Sequence, residues 1–168
     1  MKHFQIAFLG LMLTLVVVST NLEAVFLTPF FPPFVKPGLA NIIVMFTALT
    51  IGRKQALALN IMKSVFVLAI RGPIAGLMSL SGGTFSVLVI VLLVTFLSEK
   101  HISYITLGVC GALFHNFGQL LAAIWLIDFS GIFYYIPILI IAGTVTGVIT
   151  GTLLKLITPT LNRAYKFR

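Results

Sequence analysis

YITLGVCGALFHNFGQLLAAIWLI, running from Tyr104 to Ile127, contains no Asp, Glu, Lys or Arg. An α-helix needs about 20 consecutive, mostly apolar residues to cross the hydrocarbon of a bilayer. This stretch reaches that length before stopping at Asp128-Phe129-Ser130-Gly131. It predicts a membrane-spanning helix, and the segments on either side of it have the same character.

Across the 168 residues, 60% are hydrophobic and only 8% charged, with a mean hydropathy of +1.17. Soluble domains carry about 25% charged residues. The length allows one domain, and the composition makes the bilayer its solvent. The net charge is +8, but the charges fall in short loops rather than on one face, which argues against nucleic acid as a partner. A basic excess at loop ends is what membrane orientation requires. Cys110 is the single cysteine, so no intrachain disulfide forms. His3, His101 and His115 are too scattered to suggest a metal site,, and no cofactor is indicated.

Lys2 followed by the apolar run 4–18 is similar to a secretory signal,. Ser19-Thr20-Asn21-Leu22-Glu23-Ala24 offers no small-x-small cleavage site, so a retained first helix is expected. Charges and turn residues then mark six helices, at about 4–22, 38–52, 56–71, 84–98, 103–127 and 132–157. Prolines at 29, 32, 33 and 37 forbid a continuous helix between the first two,. The Gly- and Ser-rich segment 74–83 reads equally as loop, re-entrant turn or helix start. With the N-terminus inside, the inner ends hold Lys2, Arg53, Lys54, Lys100, Lys155, Arg163, Lys166 and Arg168. The outer ends hold Lys36 and Arg71. That bias predicts both termini inside.

The polar residues inside apolar segments are the candidates for function. Lys63 sits midway along the third segment, with Asn60 one turn before it. A charge at that depth is expensive, so Lys63 either snorkels to an interface or faces an internal cavity. Gly111, His115, Asn116 and Gln119 lie mid-way along the fifth segment, where polar groups serve as interhelical glue or as ligand contacts,. Lys36-Pro37-Gly38-Leu39-Ala40-Asn41 opens the second helix, whose free backbone N–H groups favour anions,. The expected ligand-binding set is Lys36, Asn41, Asn60, Lys63, Arg71, His115, Asn116 and Gln119. These groups run from the outer surface to mid-membrane, so the expected cavity opens outward and takes a small anionic or amphipathic ligand. Gly143, Gly147 and Gly151 form a stripe for close helix packing,. Gly10 with Thr14 is a weaker small-residue pair suited to docking a partner.

Enzyme machinery has no visible basis. The acidic residues Glu23, Glu99 and Asp128 are widely separated, so no carboxylate pair is placed to hold magnesium against a diphosphate,. There is no Walker-type phosphate loop,.

On Lys36-Pro37-Gly38-Leu39-Ala40-Asn41, on Gly111, Ala112, His115, Asn116, Gly118 and Gln119, and on the Gly143 to Gly151 stripe, the chain resembles the Gx transporter family. That family is also labelled heptaprenyl diphosphate synthase component I, and the resemblance covers nearly the whole chain. The family is similar to the substrate-capture (S) components of energy-coupling-factor (ECF) transporters. The resemblance implies an all-α, polytopic, S-component-like bundle of six transmembrane helices with both termini inside. It also implies capture of a ligand from outside and a separate coupling subunit with ATPases, or another membrane partner. Relatives are associated with flavin- and quinone-linked extracellular electron transfer. S components often dock through Ala-x-x-x-Ala on the first helix; here Ala7 is followed by Leu11, and Gly10 with Thr14 approximates the pattern. The synthase label implies a role in making the polyprenyl tail of menaquinone, which without the usual aspartates would be that of a non-catalytic accessory. The expected location is the cell (plasma) membrane of a bacterium, as a multi-pass protein in contact with the lipid bilayer.

Overall fold

Gly72 alone separates two long helices. Its φ of 86° lies where glycine pays no Cβ penalty,, and Pro73 follows at the first helical position, where a missing N–H is not needed. The computed structural model describes residues 2–27, 38–97, 102–127, 134 and 136–166. The elements are α1 (Lys2–Leu22), continued by a π-helical stretch Glu23–Leu27, then α2 (Leu39–Thr50), α3 (Arg53–Arg71), α4 (Pro73–Leu97), α5 (Tyr104–Ile127) and α6 (Ile136–Lys166). No strand occurs among the described residues.

Of the three readings open for the segment 74–83, the helix start is the one found, and α4 begins at Pro73, ahead of the expected bound near 84. Its small residues are contact surfaces and not breaks. A Cβ on Gly76 would lie 2.8 Å from the Leu68 Cα of α3, and one on Gly82 would lie 2.8 Å from the His115 carbonyl oxygen of α5. In membrane helices such residues let backbones approach closely. The sixth helix was expected to end near 157, yet α6 runs to Lys166 with Pro159 inside it. Its last turns pack on the start of α1: the Tyr165 ring lies 5.1 Å from that of Phe8 and 6.1 Å from that of Phe4.

Four helical stretches are long and apolar enough to cross a membrane: Phe4–Phe26, Pro73–Leu97, Tyr104–Leu126 and Ile136–Tyr165. Leu39–Thr50 is a shorter apolar helix. At about 1.5 Å per residue, α2 spans less than the roughly 30 Å of hydrocarbon. It is the central helix, with Ala40 and every residue from Ile42 to Thr47 buried, as expected of a helix that is apolar all round.

α3 shows why its sequence reads poorly as a span. Ala56, Leu59, Asn60, Lys63, Ser64 and Val67 are buried, while Ile61, Met62, Val65, Leu68 and Ile70 are exposed. The 3.6-residue periodicity is kept, but the buried face mixes Asn60, Lys63 and Ser64 with Ala56, Leu59 and Val67, while the exposed face carries large apolar side chains. Large apolar side chains are likewise exposed on α1, α4, α5 and α6. This is the surface of a multi-pass protein in contact with lipid.

The core is divided along its length. One end, where α1 begins and α6 finishes, is filled by Phe8, Met12, Phe46, Ala56, Ile90, Leu107 and Leu154. At the other end, the buried groups include Thr20, Glu23, Lys63, Ser79, His115 and Gln119.

Candidate functional site

The polar end is assembled by helix termini. In the π-helical stretch that continues α1, the Glu23 Oε1 accepts from the Ala40 N–H in the first turn of α2 at 3.3 Å. A carboxylate there meets the positive end of the α2 dipole. From the last residue of α3, the Arg71 Nη2 donates to the Thr20 carbonyl of α1 at 2.8 Å. These two contacts bind α1 to α2 and to α3 at the same level.

Below that rim lies a half-open cavity of about 40 Å³ lined by Thr20, Glu23, Gly38, Ala40, Asn41, Lys63, Val67, Arg71, Ser79, His115 and Gln119. Lys63 is 3% exposed, and its Nζ donates to the Asn41 Oδ1 at 3.1 Å. The snorkelling alternative therefore does not describe this chain: the ammonium turns into the bundle, away from lipid. Gln119 is also 3% exposed, and neither its Oε1 nor its Nε2 meets a hydrogen-bond partner among the described residues. A water needs roughly 10–15 Å³ of such space, so the cavity as it stands has room for a few waters. A larger ligand requires the rim to part.

Five of the expected site residues thus come together: Asn41 from α2, Lys63 and Arg71 from α3, and His115 and Gln119 from α5. The remaining three do not join them there. Asn60 is fully buried: its Nδ2 reaches the Leu80 carbonyl at 3.4 Å and the Thr84 Oγ1 at 3.3 Å, both on α4, while its Oδ1 has no partner among the described residues. Asn116 donates from Nδ2 to the Leu139 carbonyl of α6 at 3.0 Å. It lines a smaller void of about 10 Å³, which shares Gly38, Asn41 and His115 with the main cavity. Lys36 lies outside the described residues.

Sequence reasoning left Thr20, Ser79 and Glu23 out of the set. Ser79 fell in the segment to which no structure was assigned. Read as a helix, Ser79, Gly82, Gly83 and Ser86 follow helical spacing on the buried side, and that period was the available signal. Glu23 was visible as an acid at an outer helix end, but its seat against α2 depends on tertiary packing.

The glycine stripe of α6 lies against α5. A Cβ on Gly147 would come within 2.5 Å of the Val109 Cα, and one on Gly151 within 2.7 Å of the Ile105 Cα. A Cβ on Gly143 would lie 2.9 Å from the Asn116 Nδ2, so this glycine admits the amide to the α6 backbone. Gly10 has nothing nearby and is exposed with Thr14 on the outer face of α1. Beside Asn116 an apolar cleft of about 140 Å³ lies between α5 and the start of α6, lined by Leu113, Phe117, Leu120, Ile136, Leu139 and Ile140. No group of three or more His, Cys, Asp or Glu placed to hold a metal occurs among the described residues.

Among known proteins, the sequence model of the family described as heptaprenyl diphosphate synthase component I matches residues 12–157. No curated protein and no solved structure matches the chain.

Proposed function

The chain belongs to the heptaprenyl diphosphate synthase component I family, and from that premise we propose that it is a membrane substrate-capture component, without an ATPase of its own, that binds a small anionic or amphipathic ligand from the outer side. In this reading all six helices cross or line the membrane, both termini are cytoplasmic, and a coupling subunit with ATPases or another membrane partner completes the transporter. The observation that carries it is the meeting of Lys63, Arg71, Asn41, His115 and Gln119 at one cavity. Two cations against the one carboxylate of Glu23, with two amides and an imidazole, leave a formally positive lining that suits an anion with further hydrogen-bonding groups,. The neighbouring apolar cleft suits a ligand with a hydrocarbon part.

Native mass spectrometry of the protein released from its own membrane tests this reading. A co-purifying small anion is expected, and Lys63→Met should lose it. An empty spectrum in every lipid condition would count against capture.

The family description favours a second reading, in which the chain is a non-catalytic membrane accessory in polyprenyl diphosphate or menaquinone synthesis, or in flavin-linked extracellular electron transfer. Neighbouring genes discriminate. ATPase and coupling-subunit genes favour transport, whereas a prenyl synthase or flavoprotein gene favours the accessory.

A further inference from the structure

Most buried amides in this bundle are engaged by the chain itself. Asn60 donates across to α4, although its Oδ1 has no partner among the described residues, Asn116 donates to the α6 backbone, and Asn41 accepts from Lys63. Gln119 differs. It is 3% exposed, it lines the cavity, and both polar atoms of its carboxamide lack partners among the described residues. Buried polar atoms are almost always satisfied, so such a group calls for an explanation. Its stem is held in place: a Cβ on Gly82 would lie 2.8 Å from the Gln119 Cγ, so α4 approaches closely enough to fix the side chain on the cavity side of α5.

A carboxamide presents one N–H donor edge and one carbonyl acceptor side by side. A ligand bearing only an acceptor, such as a plain carboxylate, satisfies the Nε2 and leaves the Oε1 buried without a donor, which is unfavourable. One complement that satisfies both atoms at once is an adjacent N–H and C=O, the edge of a lactam or imide. The Nε2 then donates to the ligand carbonyl and the Oε1 accepts from the ligand N–H. Lys63 and Arg71 share the cavity wall with one carboxylate, Glu23, so the lining keeps one formal positive charge over for an acid.

We infer that Gln119 is the specificity-determining residue of this cavity, and that the captured ligand is an organic acid that also carries a lactam or imide edge. The inference rests on the anion-capture reading and narrows it. A ring of this kind exceeds the present volume of about 40 Å³, so its entry parts the rim that Glu23 and Arg71 hold.

The test uses the full chain in lipid nanodiscs and two acids of matched ring size and charge. Pyroglutamate carries a five-membered lactam, while cyclopentanecarboxylate has the same ring without the amide. Calorimetric affinities are compared for the wild type and for Gln119→Leu. Pyroglutamate is expected to bind roughly tenfold or more tightly than cyclopentanecarboxylate to the wild type. In Gln119→Leu that ratio should fall to about one, with the affinity for cyclopentanecarboxylate kept. A purely structural role for Gln119 would weaken both acids together and would overturn the assignment. Equal affinities in the wild type also overturn it, and do so even if the variant fails to fold, while leaving anion capture intact. Absence of binding by both acids overturns it as well, and the native mass spectrum then judges anion capture separately.

Discussion

A lysine ammonium on a membrane helix is tolerated only where its surroundings replace water. Insertion scales put a lysine at mid-helix at roughly 2.5–3.5 kcal/mol. Lys63 offsets part of that through the Asn41 Oδ1 and through its place on the wall of a polar cavity. Lys63→Met is therefore expected to fold as well as the parent, because an apolar chain of similar length relieves a buried charge. Its ligand affinity should fall by about tenfold or more, since a hydrogen bond to a charged group contributes ~1.5–3 kcal/mol. Thermal unfolding and native mass spectrometry on the same preparation check both halves. Normal binding would remove Lys63 from the site. A loss of folded yield would point to Lys63 as the charge that neutralises Glu23 in the same cavity. The sequence made Lys63 conspicuous, because a cation in an apolar run stands out. It did not reveal whether the ammonium turned inward, since that depends on which face of α3 meets α2. Asn60 shows the converse: one turn away and on the same face, it is taken up by Leu80 and Thr84 of α4, and spacing alone does not separate glue from ligand contact.

At the level of elements, small residues decide how the helices meet, and they also decided where sequence reading failed. On α6 the stripe was readable, because glycines at i, i+4 and i+8 share one face. Its consequence is specific. A Cβ at position 147 would be 2.5 Å from the Val109 Cα and 3.0 Å from the Gly108 carbonyl oxygen, and α5 has only backbone there to yield. Gly147→Leu should force α5 and α6 apart and lower stability by about 1–3 kcal/mol or more, seen as reduced folded yield and a lower unfolding temperature in detergent, with or without ligand. Unchanged yield and thermal stability would mean that this face meets lipid instead. On α4 the same kind of residue leaves loop, re-entrant turn and helix start all open in the sequence, because Gly and Ser weaken isolated helices in water. In a bilayer the backbone must satisfy its own hydrogen bonds, so a run such as Gly76 to Gly83 stays helical and spends its small size on contacts. α3 was legible as a helix, but the face it buries was not, since large apolar side chains lie on its exposed face and apolar residues also on its buried one.

Over the whole molecule, the two ends differ in kind, and orientation decides what that difference does. Phe4 and Phe8 pack on Tyr165, and Gly151 packs on Tyr104 and Ile105. The start of α1, the start of α5 and the finish of α6 therefore share one end. Glu23 on Ala40 and Arg71 on Thr20 mark the other. Arg53, Lys54, Lys155 and Arg163 lie toward the first end and Arg71 at the second, a bias of basic residues on which we propose that the apolar end is cytoplasmic and the polar cavity faces outside. Single cysteines in a Cys110→Ala background test this with a membrane-impermeant maleimide on intact cells. Cysteines replacing Arg53, Lys100 and Lys166 should stay unlabelled until the cells are opened, while one replacing Asp128 or Pro33 should react from outside. Labelling at 53 and 100 in intact cells would reverse the bundle. The cavity would then face the cytoplasm, where a newly made prenyl or quinone precursor is met rather than an external solute. The same set of Lys63, Arg71 and Gln119 would then support the accessory reading over capture, so this labelling pattern bears on function as directly as a ligand does.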